Sequence, residues 1–329
     1  MATKDVLTKE YMQLKDVFAD VFNFFLFDGK PVIQPQQLRE KNTEIFETRR
    51  SSAVKGRVSP HFRDLLCLLS MDDAAHSYLL LGIEDQTQAQ HALPIRSLLY
   101  DALQYRDQIK LITKQRRIEQ QQAQTATEIL SGFQKDDHLH PVVTLVIYLG
   151  TEPWAGPRSI HEMFDDLPSD LLTHIPNYQL HLIEPAALSD EDLGKFQSNL
   201  REVLTVIKYS KDKDRLETVM QDPRFRAVQY EAASLLNELA GLKLDLTTQE
   251  EGGTINMFIG FEQLKEDYKR QGKLESLLIS VKSLMTNLNL DIEAAMKALN
   301  ISEDQQEVIR TEITPNTSIN TNTAADANA

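Results

Sequence analysis

The sequence predicts an α/β fold: a mixed β-sheet flanked by helices, with a helical C-terminal region. Three observations predict it. Two apolar runs of strand length, "RDLLCLLSM" and "YLLLGIEDQ", stand on either side of the polar turn "DDAAHS" and read as an antiparallel hairpin. A third run, "HPVVTLVIYLG", is continuous and β-branched, as suits a strand buried on both faces. From Ser189 onward the apolar spacing turns helical and stays so. A mixed sheet flanked by helices fits this order of elements.

Taken in order, the chain opens with "LKDVFADVFNFFLF". Its Val17, Phe18, Val21, Phe22, Phe25 and Leu26 make the i, i+3, i+4, i+7, i+8 stripe of an amphipathic helix, broken near Gly29 and Pro31. "NTEIFETR" reads as a short strand, and the hairpin follows. A long helix runs from about Pro94, and its middle, "RIEQQQAQTATE", has no apolar face. "YQLHLIEP" is a further strand. "SDEDLGKFQSNLREVLTVIKYS" opens with Ser189 as N-cap and acid in the first turn. "FRAVQYEAASLLNELAG", "GFEQLKEDYKRQGKLESLLISVKSLMTN" and "LDIEAAMKALNIS" are further helices, and the small polar tail is expected to be disordered. The expected organisation is residues 1–185 as a sheet-bearing domain, 186–311 as a helical region and 312–329 as a tail. There is no internal repeat.

The totals restrict the function classes. No apolar run reaches the ~18 residues of a membrane span, and the N-terminus lacks the apolar core of a signal peptide. A single cysteine, Cys67, excludes an internal disulfide and a CxxC site, so a reducing, cytoplasmic home without membrane partners is expected. The net charge of −14 is unevenly placed. Residues 1–118 hold 17 Lys+Arg against 15 Asp+Glu, whereas the remainder holds 18 against 34. Within Arg39–Arg63 the balance is locally basic, from Arg39, Lys41, Arg49, Arg50, Lys55, Arg57 and Arg63. That segment reads either as a solvated loop or as a track for a phosphate backbone.

The chemistry concentrates at the polar tip of "YLLLGIEDQ". Residues i and i+2 of a strand share a face, so Glu84 and Gln86 project together. Pairing the hairpin strands brings Asp64 beside Glu84. Two close carboxylates repel unless a proton or a cation lies between them, and oxygen-only ligation favours Mg²⁺. The alternative is a pair of solvated acids at strand ends. No Ser-His-Asp or Cys-His set and no phosphate-cradling glycine loop accompanies them.

The assembled order of "FADVFN", "LFDGK", "RDLL" and "LGIEDQTQAQHALPIRSLLYDALQY" resembles the PD-(D/E)XK nucleases, and more narrowly the bacterial Rpn-like family of recombination-promoting nucleases and transposase-like proteins. The match is close over roughly residues 12–110. The resemblance implies a restriction-endonuclease-like fold and a Mg²⁺-dependent DNA endonuclease that promotes recombination. It implies that Asp64 and Glu84 bind the metal with the backbone carbonyl of Asp85, that Gln86 occupies the lysine position, and that Asp20 is the supporting acid of the first helix. Two departures stand out. Arg63 replaces a proline, and Gln86, although usual in this subfamily, carries no charge and cannot serve as a base.

Around this site Arg96 has two readings, a contact to the scissile phosphate or a plain surface arginine. Lys15, Arg49, Arg50, Lys55 and Arg57 are candidates for contact with the DNA backbone. Tyr100 and Tyr105 read as core. His91 borders the site, His138 and His140 belong to a loop before a strand, and Trp154 reads as a loop anchor. DNA is the expected partner, with the C-terminal helices as a dimer interface. The other class of function is a nuclease fold with little or no catalysis, kept as a DNA- or protein-binding module.

Overall fold

Val17, Phe18, Val21 and Phe22 recur at helical spacing, and they form the buried stripe of α2 (Lys15–Phe27), which follows α1 (Ala2–Met12). The computed structural model describes residues 2–40, 44–45, 61–62, 65–70, 78–118, 128, 133–242, 244, 246 and 253–313. The described chain forms two compact units, Met1–Phe258 and Ile259–Ala329.

The end of α2 has a local cause. Asp28 and Gly29 adopt φ 54° and 80°, the left-handed conformation that closes helices. Gly29 is required there twice over, because a Cβ at this position would lie 2.7 Å from Lys195 Cβ and 2.8 Å from Lys195 O. Asn23, on the buried side of α2, then pins the returning chain. Its amide donates to Ile33 O at 2.9 Å and its carbonyl accepts from Ile33 N at 2.7 Å.

A five-stranded mixed sheet follows. β1 (Leu38–Glu40) is its first strand, while β2 (Glu44–Ile45) and β3 (His61–Phe62) pair with each other as a separate ribbon. β4 (Leu65–Ser70) and β5 (Tyr78–Gln86) form the expected antiparallel pair, with Leu65 opposite Ile83 and Ser70 opposite Tyr78. β6 (Val142–Tyr148) and β7 (His181–Ile183) continue in parallel, and the spatial order is β1-β4-β5-β6-β7. The core runs through Leu69, Leu81, Ile83, Leu145 and Ile147, all fully buried. Each such side chain stabilises the fold by about 1.5–3 kcal/mol. Cys67 lies in this layer, and burial pushes its thiol up to about 12, which makes it unreactive.

Parallel pairing of β5 and β6 needs a long crossover, and α3 (Leu93–Ile118) supplies it. Polar bonds hold α3 along β6. Asp101 accepts from Thr144 Oγ1 at 2.5 Å and from Tyr178 OH at 2.7 Å. Tyr105 OH accepts from Val142 N at 3.1 Å. Gln108 donates to His140 O at 3.0 Å and accepts from His140 N at 2.6 Å. Helix numbers rise as strand numbers fall, so α3 runs antiparallel to β6. Arg116 adds an ion pair to Asp137. The loop holding His138 and His140 precedes β6, as the sequence predicts.

After β7 the helical run is interrupted. Ser189 is the expected N-cap and forms a capping box with Asp192, but the helix Asp190–Gly194 stops, and a second begins at Leu200 and ends at Tyr209. The cause is long-range: the N–H groups of Gln197 and Ser198 are turned to Asp20 on α2. The segment expected as one helix from Phe225 is likewise divided. Val228–Gln229 pairs with Thr254–Ile255 as a short ribbon, and the helix spans Tyr230–Ala240, ending at Gly241 with φ 63°.

In the second unit, the helices Ile292–Ala298 and Glu303–Ile313 pack on the long helix that ends at Leu288. Val281, Ala295, Met296, Ile301 and Ile309 make its core. Arg310 clasps Glu293 with two bonds of 2.6 and 3.0 Å. The last helix was not distinguished in the sequence, and residues 314–329 lie outside the described ones. Among the described residues no helix is long and apolar enough to cross a membrane.

Candidate active site

β5 has an antiparallel neighbour on one side and a parallel neighbour on the other, and its last three residues are Glu84, Asp85 and Gln86. In register with them stand Val146, Ile147 and Tyr148 of β6. The tip therefore lies at the carboxyl ends of parallel strands, the edge where open α/β sheets bind ligands. Leu149 N donates to Gln86 O at 2.7 Å and extends the ladder past the strand's end. Asp64, Arg49, Arg50, Lys55 and Arg57 lie outside the described residues; for Glu84 and Asp85, only the backbone position is described.

Gln86 is 5 % exposed. Register partners on adjacent strands share a face, so Gln86 is on the face of Tyr148 and Val146. That face carries α3, because Leu93 packs in one apolar cluster with Val146, Tyr148, Trp154 and Leu180. Trp154 stacks edge-on to Tyr148 with centroids 5.2 Å apart, and its backbone N–H donates to Glu184 at 2.7 Å. This makes it the loop anchor that the sequence suggested. The buried Glu184 also receives Arg158 Nη2 at 2.5 Å. The Tyr148 phenol is raised in pKa, first by burial and then by the charges of Glu184 and Glu152, so it stays protonated.

On α3, Arg96 donates from Nη1 to Gln90 at 2.6 Å, which turns its guanidinium toward the loop after β5. Tyr100 is buried with Leu103, and Tyr105 bonds β6; both are structural. His91 is exposed at the start of the helix. Ser97, fully buried on α3, was missed in the sequence reading. The available signal was its place four residues after Leu93 and four before Asp101, both on the buried stripe.

Asp20 is elsewhere in its bonding. It is 4 % exposed, and its carboxylate accepts from Gln197 N at 3.0 Å, Ser198 N at 2.8 Å and Ser198 Oγ at 2.6 Å. It borders a cleft of about 240 Å³ shared with Asn23, Ile33 and Gln197. Lys15 is exposed and donates to Leu38 O at 3.1 Å, tying the start of α2 to β1.

Among the described residues no group of three or more His, Cys, Asp or Glu is placed to hold a metal ion. The donor set that the sequence nominates, two carboxylates and a backbone carbonyl, consists of oxygens alone and fits Mg²⁺ in chemistry.

No curated protein and no solved structure matches the chain. A family model described as "Putative transposase, YhgA-like" matches residues 4–232, which takes in most of α1, all of α2 and α3, the whole five-stranded sheet and the Asp20-bound loop. With its mixed sheet and the acidic tip of β5, the chain belongs to this YhgA-like family, which is of the PD-(D/E)XK and Rpn-like type.

Proposed function

We propose that the protein is a metal-dependent DNA endonuclease that hydrolyses phosphodiester bonds and whose breaks promote recombination. One observation carries the reading: the Glu84-Asp85-Gln86 tip ends a strand that is fixed in register by neighbours on both sides, at the carboxyl edge of the sheet. Leu65 opposite Ile83 is the step of the ladder beside Glu84, and the reading requires Asp64 to take the next step. Directly opposed residues of an antiparallel pair hold their Cβ atoms about 4.5–5.5 Å apart, close enough for two carboxylates to share one ion.

In this reading Asp64, Glu84 and the carbonyl of Asp85 hold Mg²⁺. When bound, the ion supplies charge to steady the phosphate in the transition state and to acidify water. Gln86 orients the attacking water through its carboxamide, which hydrogen-bonds without exchanging a proton. Arg96 meets the phosphate undergoing attack. Lys15, Arg49, Arg50, Lys55 and Arg57 follow the DNA backbone by charge and carry no sequence readout. Pairing of two copies through the C-terminal helices would present two sites to a duplex.

A second reading is favoured by Gln86 itself. An uncharged residue in the lysine position suits a fold that binds DNA or a partner protein with little catalysis. Plasmid cleavage with Mg²⁺ separates the two. The nuclease reading expects cutting by wild type, and at least ~10³-fold loss in Asp64→Ala and Glu84→Ala with DNA binding retained. Equal behaviour of wild type and Asp64→Ala, or no cutting with any divalent ion, leaves the binding module.

A further inference from the structure

Ser97 is 0 % exposed, and its hydroxyl has no hydrogen-bond partner among the described residues. A serine inside a helix ordinarily bonds back to the carbonyl four residues earlier. Thr8, Thr113, Thr205, Thr218 and Ser280 all do so in this protein. Ser97 does not bond to Leu93 O. An unsatisfied buried hydroxyl is costly and calls for a cause.

Its position along the sheet can be read from its neighbours. Leu93, one turn before it, packs with Val146 and Tyr148. Asp101, one turn after it, bonds Thr144. Ser97 thus lies over the interval Thr144–Tyr148 of β6, which is in register with Gly82–Gln86 of β5. Gln86 is buried on that same face. Two polar side chains, a hydroxyl and a carboxamide, are therefore enclosed near the acidic tip, beside the apolar cluster of Leu93, Val146 and Tyr148 and one turn from the Asp101–Thr144 bond.

We propose that Ser97 is a positioning residue that acts with Gln86 on the attacking water. The water donates one O–H to Gln86 Oε1 and the other to Ser97 Oγ, which leaves a lone pair directed at phosphorus. Neither group takes a proton, so as the new P–O bond forms and the bond to the leaving sugar oxygen breaks, the water's proton passes to solvent and a solvent water protonates the leaving oxygen. Two fixed acceptors orient a water far better than one, and together they stand in for the orienting role of a lysine. This inference rests on the nuclease reading given above.

The test uses the full chain with plasmid DNA and Mg²⁺. Ser97→Ala is expected to lower kcat about 10- to 100-fold with KM and DNA affinity little changed. It is expected to melt at or above the wild-type temperature, because the change removes an unsatisfied hydroxyl. The double variant Ser97→Ala, Gln86→Ala should be no slower than Gln86→Ala alone, since both groups act through one water. A readout independent of turnover is a crystal structure of wild type with DNA and Ca²⁺. It should hold a water within about 3.2 Å of both Ser97 Oγ and Gln86 Oε1, lost in Ser97→Ala. A wild-type rate in Ser97→Ala, additive losses in the double variant, or no water at that place overturns the inference. If wild type cuts, Asp64→Ala does not, and Ser97→Ala cuts as wild type, this inference alone falls. If wild type is as inert as Asp64→Ala with every divalent ion, the nuclease reading falls and takes this one with it.

Discussion

Asp20 and the layer between β5 and α3 are both buried and both polar, yet they are built in opposite ways. Around Asp20 the donors converge: two backbone N–H groups and a hydroxyl from residues 197–198 meet one carboxylate. Under α3 the Ser97 hydroxyl has no hydrogen-bond partner among the described residues, although apolar packing through Leu93, Val146 and Tyr148 and the Asp101–Thr144 bond fix the helix on either side of it. The difference teaches how to sort buried polar residues. Where donors and acceptors are filled from within the chain, the group is a fastener, and its removal is felt as lost stability. Where they are left open in a rigid setting, the group is available to something that arrives.

That contrast can be broken by mutation. Asp20→Ala should cost the most, about 2–4 kcal/mol in urea denaturation, because it strands buried N–H groups at Gln197 and Ser198. If stability holds and cleavage vanishes, Asp20 belongs with the metal ligands and the contrast fails. Gly29→Ala comes next, at about 2 kcal/mol, since a Cβ would meet Lys195 while the backbone sits at φ 80°. A melting temperature within a degree of wild type would show that Lys195 yields freely. Thr144→Val should cost about 1–1.5 kcal/mol by taking one hydroxyl donor from Asp101, and hydrogen exchange should quicken in α3 near that residue. The smallest effect concerns pH. Hydrogen bonds from Ser189 and Lys195 hold the Asp192 carboxyl down at about 2, below the ~3.9 of an unfolded aspartate. Its contribution is therefore fully present above about pH 4 and is lost as pH falls through about 2. An NMR titration of Asp192 with a midpoint near 4 would show that the capping box adds nothing in solution.

Much of the frame was legible in the sequence because its cause is local. The stripe of α2, the β4–β5 hairpin and the β-branched β6 all follow from the spacing of apolar residues. So does the acidic tip, since the three polar residues end an apolar run. The break at residues 195–199 was hidden for the opposite reason. "GKFQSNL" holds nothing that forbids a helix, and the chain departs from one because an acid 177 residues away takes its N–H groups. Ser97 escaped notice because serine is unremarked in an amphipathic helix, and its meaning lies in a hydrogen bond that is not made. The two-residue ribbon of Val228–Gln229 with Thr254–Ile255 is too short to leave a period in the sequence.

The bond between Asp20 and Ser198 also sets a schedule. Asp20 leaves the ribosome with α2, and its partners are added 177 and 178 residues later. At about 5–20 residues per second, that is a wait on the order of ten to thirty-five seconds. During it the face of α2 that will be buried must be kept from other partners by the nascent chain or by a chaperone. The side chain that fastens the finished unit thus waits through most of the chain's synthesis for its contacts, and conditions that slow synthesis would lengthen its exposure.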